Sequence, residues 1–190
     1  MNIAITGHTA GIGQALAKIL QNRGHHIVGI SKRDGHNIRV IPRMVQMIQP
    51  CDMFINNAQS GYAQTELLYA VWQQWQGQNK HIWCISTMMS RLPVDPPIPG
   101  HTTEAMSAYR NQKLALEDAC VQLQFKSHTP TITIVRPGAV ATQPGQDFPW
   151  PYANVYAWAN NLVEIMVNAD TANLTVPEIS LAPAPGRIGL

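Results

Sequence analysis

Two residues with complementary chemistry, Tyr109 and Lys113, stand four positions apart in a stretch that is predicted to be helical. Side chains at i and i+4 share one face of a helix and can meet. A phenol has an ordinary pKa near 10, and a neighbouring ammonium favours the phenolate. Lowering the pKa toward 7 corresponds to roughly 4 kcal/mol of differential interaction. Such a tyrosine exchanges a proton with an alcohol or carbonyl near neutral pH, whereas an exposed pair without a role is the alternative.

A glycine-rich turn, TGHTAGIG at Thr6 to Gly13, follows a short apolar run and opens an amphipathic stretch. This is the context in which such a turn binds a dinucleotide. Gly7 permits a sharp turn, Gly11 lets backbone N–H groups approach a pyrophosphate, and Gly13 lets the helix pack closely on the strand. The anion would lie at the positive end of the helix, although a glycine turn without a ligand is the alternative. The predicted cofactor contacts in this turn are Gly7, Thr9, Gly11, Ile12 and Gly13.

The end of the second predicted strand carries Ser31, Lys32 and Arg33, where dinucleotide folds usually place a carboxylate on the ribose 2′-hydroxyl. Arg33 can form two hydrogen bonds to a 2′-phosphate, and Lys32 adds a positive charge. The sequence therefore favours NADP over NAD. Asp34 is close enough to serve as an offset acidic ligand, so NAD stays open, and cations that merely solvate a strand end are a further alternative.

Five short motifs occur in the order in which the short-chain dehydrogenase/reductase family carries them, and the resemblance covers nearly the whole chain. Besides the glycine turn they are Asn56-Asn57-Ala58 after a strand, Ser86-Thr87 at the end of the next strand, Ser107-Ala108-Tyr109 through Lys113, and RPGAVAT at Arg136 to Thr142. The chain is thus identified as a shortened member of that family.

The resemblance implies a role for each matched position. Tyr109 would be the general acid/base, and Lys113 its activator and a ligand of the nicotinamide ribose. The hydroxyl that polarises the substrate carbonyl falls on Thr87. Ser86 is the alternative, because a slip of one residue turns a strand side chain to the opposite face. The residues implied to pass beneath the cofactor are Asn56, Asn57 and Ala58, and those implied to hold the nicotinamide are Pro137, Gly138, Val140 and Thr142.

The chain also departs from the family pattern. Gln59 stands where the family usually has glycine, and the stretch Arg91 to Gly100 is a proline-rich insertion. The stretch Asp34 to Asp52 is compressed, so a strand and helix there are expected to be abbreviated. The asparagine that the family often uses for proton relay has no counterpart. Gln64 is a candidate stand-in, with an ordinary surface glutamine as the simpler expectation.

Short β-branched runs that alternate with amphipathic stretches predict parallel strands joined by crossover helices. The predicted strands are Asn2 to Thr6, His26 to Ser31, Met53 to Asn56, His81 to Ser86, Thr131 to Arg136 and Glu178 to Ala182. The predicted helices are Ile12 to Arg23, Pro42 to Gln49, Gln64 to Gln76, Thr103 to Lys126 and Tyr152 to Asn168. The expected fold is α/β, one Rossmann-like doubly wound parallel sheet with helices on both faces. A single domain is expected over residues 1–190, with a substrate loop at about 143–158.

Composition excludes several classes of function. Hydrophobic residues make up 45% of the chain and charged residues 13%, with a formal net charge of +2. This balance lacks the basic field of a nucleic-acid binder, and no stretch approaches the ~18 apolar residues of a membrane span. The three cysteines are far apart and have apolar neighbours, so reduced thiols and a cytoplasmic location are expected. No metal site is expected from the histidines either.

An aromatic cluster follows the RPGAVAT segment, and its members are Phe148, Trp150, Tyr152, Tyr156 and Trp158. It predicts a pocket for an apolar or aromatic substrate, with core packing or a subunit contact as the alternative. A homodimer or homotetramer is expected, with Leu68, Trp72 and Trp75 and the Thr103 to Lys126 helix as the candidate interface.

The sequence as a whole predicts an NADP(H)-dependent short-chain oxidoreductase that interconverts a carbonyl and an alcohol of a small substrate. The alternative is a noncatalytic NADP-binding sensor or partner-binding module on the same fold.

Overall fold

The computed structural model describes residues 1–92, 101–143 and 151–183. In chain order the elements are β1 (Asn2–Thr6), α1 (Gly11–Asn22), β2 (His26–Ile30), α2 (Ile41–Ile48), β3 (Met53–Asn56), α3 (Ala63–Trp75), β4 (His81–Ile85), α4 (Thr103–Lys126), β5 (Thr131–Pro137), β6 (Val140–Ala141), β7 (Ala153–Asn154), α5 (Val155–Thr171) and β8 (Glu178–Leu181). Single 3-10 turns follow β2 at Lys32–Asp34 and β4 at Met88–Arg91. All the predicted strands and helices are present, with bounds shifted by at most a few residues.

Six strands form one parallel sheet in the order β2-β1-β3-β4-β5-β8. Strand β2 lies on one side of β1, and β3 lies on the other side. The chain crosses over β1 between these two strands, so the direction of winding reverses beside β1. In open α/β sheets ligands bind in the crevice at such a reversal, outside the carboxyl ends of the strands. The predicted doubly wound fold is therefore confirmed.

The strands are largely apolar because helices cover both faces of the sheet. Side chains alternate between the faces. Ile3 and Ile5 pack toward α1 and α5, whereas Ala4 packs toward α2, α3 and α4. Leu68, Trp72 and Trp75 lie buried in this second layer. The expectation that they form a subunit interface is wrong, because the chain's own core takes them up.

The region between β2 and β3 is abbreviated, as expected. A 3-10 turn leads to α2, and α2 leads directly into β3, so residues 1–92 contain no strand between β2 and β3. On that side of the sheet β2 is the outermost strand that the described residues provide.

Helix α4 is 24 residues long and carries both Tyr109 and Lys113. It begins after Thr102, whose hydroxyl accepts a hydrogen bond from the Ala105 amide at 3.2 Å. Its buried face includes Lys113 and Glu117 among apolar residues, so two charged groups are enclosed beneath the carboxyl edge of the sheet. None of the helices in the described ranges is both long and apolar enough to cross a membrane.

Candidate active site

A cleft of about 230 Å³ opens at the carboxyl ends of the strands. It is lined by Ile12, Asn57, Gln59, Ile85, Ser86, Thr87, Tyr109, Lys113, Pro137, Gly138, Val140 and Thr142. Segments that are far apart in the chain therefore meet in one place, and most of the residues lining the cleft are predicted site residues. Ile85 is an addition, because sequence reasoning assigned it only to a strand.

The glycine turn has backbone angles that suit glycine. Gly7 and Gly11 have φ of +73° and +53°, in the left-handed region that L side chains rarely adopt. A Cβ on Gly13 would lie 2.3 Å from the Gly7 carbonyl oxygen, so the turn and the first turn of α1 are in direct backbone contact. The N-terminus of α1 has no side-chain cap, which leaves its first N–H groups for an anion. The turn therefore fits a dinucleotide phosphate.

Thr6 connects this turn to the segment after β3. Its hydroxyl oxygen accepts hydrogen bonds from the Asn57 and Ala58 amides, each at 2.9 Å, and the Asn57 side-chain amide donates to the Thr6 carbonyl at 2.9 Å. Asn57 also lines the cleft. Asn56, by contrast, is fully buried behind it, and its amide donates to the Gln64 carbonyl at 2.9 Å. Asn56 thus supports the site from behind.

The end of β2 brings together the residues predicted to read the adenosine ribose. The Ser31 and Thr9 hydroxyls are hydrogen-bonded at 2.9 Å, and Lys32 and Arg33 follow as exposed side chains. Asp34 is engaged elsewhere, since its carboxylate lies 3.3 Å from His8 Nε2. His8 packs across Gly29, where a Cβ would meet its ring. The basic pair is therefore open to an approaching anion.

Lys113 has more partners than the predicted pairing with Tyr109. Its ammonium lies 5.6 Å from the centre of the Tyr109 ring and donates hydrogen bonds to Gln64 Oε1 and to the Ile85 carbonyl, each at 2.8 Å. Burial lowers the pKa of Lys113 to about 8.

The pKa of Tyr109 departs from expectation. Burial raises it above its ordinary value of 10, and the hydrogen bond with the Thr87 hydroxyl opposes the rise only in part. The prediction that the ammonium lowers the pKa of this phenol toward 7 is wrong. Because the phenol is protonated at neutral pH, it is a proton donor there.

Gln64 is fully enclosed, so its interpretation as a surface glutamine is wrong. Its amide donates to the Asn56 carbonyl at 2.7 Å and the Ile85 carbonyl at 3.0 Å, while its oxygen accepts from Lys113. The signal for its burial is its position in the helix. Gln64 lies on the same helical stripe as the apolar Leu67, Leu68 and Val71, a place that demands burial.

The two candidate hydroxyls at the end of β4 have different partners. Ser86 donates to Glu117 Oε1 at 2.5 Å and is buried. Thr87 caps the following turn, where it accepts from the Met89 amide at 3.3 Å, and it is the hydroxyl bonded to Tyr109. Glu117 itself escaped sequence reasoning, although it lies one helical turn beyond Lys113 on the same face of α4.

The members of the aromatic cluster differ in burial. Trp158 is buried in the core with its indole N–H donating to the Leu181 carbonyl at 3.1 Å, so for this residue core packing is correct and the substrate pocket is wrong. Tyr152 and Tyr156 are exposed. Phe148 and Trp150 lie outside the described residues, as do residues 93–100 of the proline-rich insertion.

No cluster of metal-ligating side chains occurs in the described ranges. The three cysteines are buried free thiols.

No family model matches the sequence, and a search of curated proteins by sequence finds no match. Solved structures are similar to it in fold. An alcohol dehydrogenase from the archaeon Thermococcus sibiricus, complexed with 5-hydroxy-NADP, superimposes with a TM-score of 0.73 at 14% identity, over 100% of this chain and 99% of that one. A short-chain dehydrogenase from Burkholderia cenocepacia in complex with NADP gives a TM-score of 0.72 at 13% identity, over 95% and 87%.

The 3-alpha-hydroxysteroid dehydrogenase from Pseudomonas sp. B-0831, complexed with NADH, gives a TM-score of 0.66 at 18% identity, over 95% of each chain. The sheet order, the cleft at the reversal of winding and these superpositions agree. The chain has the fold of the short-chain dehydrogenase/reductases.

Proposed function

We propose that this protein is an NADP(H)-dependent oxidoreductase that interconverts a carbonyl and an alcohol, with Tyr109 as general acid/base. The observation that carries the proposal is the meeting of Tyr109, Lys113 and Thr87 in one cleft with the glycine turn. Each of these elements occurs in many folds. Together, at the reversal of a doubly wound sheet, they supply a dinucleotide cradle and a proton donor within one small volume.

The cofactor preference rests on the end of β2. Lys32 and Arg33 are exposed beside the hydrogen-bonded hydroxyls of Thr9 and Ser31, which suits a 2′-phosphate. The carboxylate of Asp34, which would repel that phosphate, is paired with His8. The similar structures contain NADP-type cofactors and NADH alike, so this local arrangement is what favours NADP.

A bound nicotinamide cofactor supplies or accepts the hydride. The protein's own part is to position the substrate oxygen and move a proton. Tyr109 holds that proton on its phenol, and the Thr87 hydroxyl offers a hydrogen bond to the charge that develops on the substrate oxygen. The buried ammonium of Lys113 lies 5.6 Å from the centre of the Tyr109 ring. Because burial raises the pKa of Tyr109, its phenol carries a proton near neutral pH and can pass that proton to a carbonyl oxygen.

The test is a screen of dialysed protein with NADPH and NADH against aldehydes, ketones and quinones, small apolar and aromatic ones included. Consumption of NADPH that depends on a carbonyl, and that is lost in Tyr109→Phe, supports the proposal. Binding of neither cofactor by calorimetry would overturn it.

One observation favours a noncatalytic NADP-binding sensor as the second candidate. The Lys113 ammonium is already hydrogen-bonded to Gln64 and to the Ile85 carbonyl, and its pKa is lowered, so its support of Tyr109 is reduced. Tight NADPH binding without turnover of any carbonyl in the panel would bring this candidate forward.

A homodimer or homotetramer is also part of the proposal. With Trp72 and Trp75 in the core, the large apolar side chains left exposed on α3 and α4 are Tyr69, Val121 and Phe125, and Phe125 is 88% exposed. Light scattering on wild type and Phe125→Ser tests whether this face associates.

A further inference from the structure

Glu117 is a buried carboxylate with an unusual number of partners. Its Oε1 atom accepts hydrogen bonds from Ser86 at 2.5 Å and Ser90 at 2.6 Å, and its Oε2 atom accepts from Arg136 at 2.9 Å. Arg91 approaches the same oxygen at 3.4 Å. The Glu117 and Arg136 side chains are only 6% and 3% exposed. A charge enclosed to this degree is retained only when its hydrogen-bonding capacity is filled.

The serine partners of Glu117 bracket the candidate catalytic hydroxyl. Ser86 immediately precedes Thr87, and Ser90 closes the 3-10 turn that Thr87 caps. The Ser90 hydroxyl also lies 2.7 Å from the Thr87 carbonyl oxygen. A single carboxylate oxygen therefore contacts the turn on both sides of Thr87.

Glu117 is on the same helix face as the pair that works with Thr87. Tyr109, Lys113 and Glu117 follow one another at intervals of four residues on α4, which places them along one stripe. Its buried cationic partner, Arg136, is directly followed by Pro137 at the wall of the cleft. The carboxylate thus joins the helix of Tyr109, the turn of Thr87 and the end of β5.

We infer that Glu117 is a positioning residue, which fixes the Thr87 hydroxyl against the Tyr109 phenol through its hydrogen bonds to Ser86 and Ser90. This inference rests on the proposed function. Hydrogen bonds to the Glu117 carboxylate from Arg136, Ser86 and Ser90 outweigh its burial and hold its pKa below the ordinary value, so the group is ionised at neutral pH. Glutamine in its place would offer one acceptor oxygen and turn N–H donors toward groups that themselves donate.

The test compares Glu117→Gln with Glu178→Gln. Glu178 is the other carboxylate on Arg136, at 2.9 Å, but its side chain is 57% exposed, and its contact with the Thr87 turn is to the exposed Arg91, at 3.6 Å, rather than to Ser86 or Ser90. With a carbonyl substrate found in the screen, Glu117→Gln is expected to lower kcat about 10- to 100-fold, the scale of a misplaced catalytic group. NADPH affinity should stay unchanged. Glu178→Gln should leave both quantities unchanged.

The pH profile separates positioning from a general loosening of the fold. The hydrogen bond from Thr87 opposes the rise in the Tyr109 pKa, so its loss should move the alkaline limb of carbonyl reduction to higher pH. Removal of a negative charge alone would move this limb to lower pH. An unshifted or downward limb in Glu117→Gln, an unchanged kcat, or an equal effect of Glu178→Gln would each overturn the inference.

Two further measurements cover the remaining cases. If Glu117→Gln does not fold, Ser90→Ala leaves the Glu117–Arg136 pair in place and should move kcat and the limb in the same direction. If no substrate is turned over, amide hydrogen exchange decides without activity. The Met89 amide, bonded to the Thr87 hydroxyl, should exchange faster in Glu117→Gln and not in Glu178→Gln. Equal protection in both variants would refute the role of Glu117 even where the proposed function has failed independently.

Discussion

Because the ammonium of Lys113 is buried, we expect the free energy of unfolding to depend on pH in a defined way. Burial lowers its pKa from 10.5 to about 8, so between these values the unfolded chain binds more protons at this position than the folded chain. The free energy of unfolding must therefore rise with pH across this window. A shift of this size corresponds to about 3 kcal/mol in total, of which about 2 kcal/mol falls between pH 8 and 10.

Urea unfolding of wild type and Lys113→Met at half-unit intervals from pH 7 to 10 measures this effect. The difference in free energy of unfolding, wild type minus variant, removes the contributions of other groups, including the buried thiols of Cys51 and Cys120, whose pKa values burial raises. That difference should grow by about 2 kcal/mol from pH 8 to 10. The window stops at pH 10 because Tyr109, with its raised pKa, lowers stability above that point.

Lys113→Arg is the matched control, since arginine keeps its charge throughout this range. The difference between wild type and Lys113→Arg should grow by the same amount, although the arginine variant is less stable at every pH. A difference that stays flat would mean that Lys113 is not desolvated as its position indicates. A difference that falls with pH would mean that the fold stabilises the ammonium, and would reverse the reasoning.

Three further outcomes are expected. Tyr109→Phe should lower turnover of a verified substrate by at least ~10²-fold, with NADPH affinity nearly unchanged by calorimetry, because only the proton-carrying hydroxyl is lost; unchanged turnover would remove Tyr109 from the reaction. The double substitution Lys32→Ala and Arg33→Ala should equalise the affinities for NADPH and NADH, and equal affinities already in the wild type would contradict the proposed role of that strand end. Gly13→Ala should abolish NADPH binding and cost about 1–3 kcal/mol of stability, because its Cβ would lie 2.3 Å from the backbone oxygen of Gly7; retained binding would show that the turn relaxes.

Sequence patterns predicted the sheet well because each strand is a short apolar run bounded by glycine, proline or polar residues. They also predicted which segments meet, since the carboxyl ends of parallel strands share one edge. They could not predict the polar core beneath the cleft. Gln64 and Lys113 are 49 residues apart, and a lone glutamine on an apolar stripe gives no local sign of its partner.

Glu117 escaped prediction for the same reason, because its partners Ser86 and Arg136 come from two other elements. The shift in the Tyr109 pKa was predicted with the wrong sign. A two-residue argument includes the neighbouring ammonium but omits burial, which is the larger influence in the folded chain.

Strand β2 also bears on how this protein behaves at high concentration. As the outermost strand that the described residues place on that side, it presents one row of backbone donors and acceptors that can pair with another chain. The strand has only five residues and is followed by Lys32 and Arg33. Short edges and adjacent cations are the features by which natural sheets resist edge-to-edge aggregation. Lys32 and Arg33, which are proposed to select NADP, would then also keep the sheet from polymerising. Exchanging both for neutral side chains should therefore lower solubility. Glutamate at one of the two positions would keep a charge beside the edge and is expected to preserve solubility better.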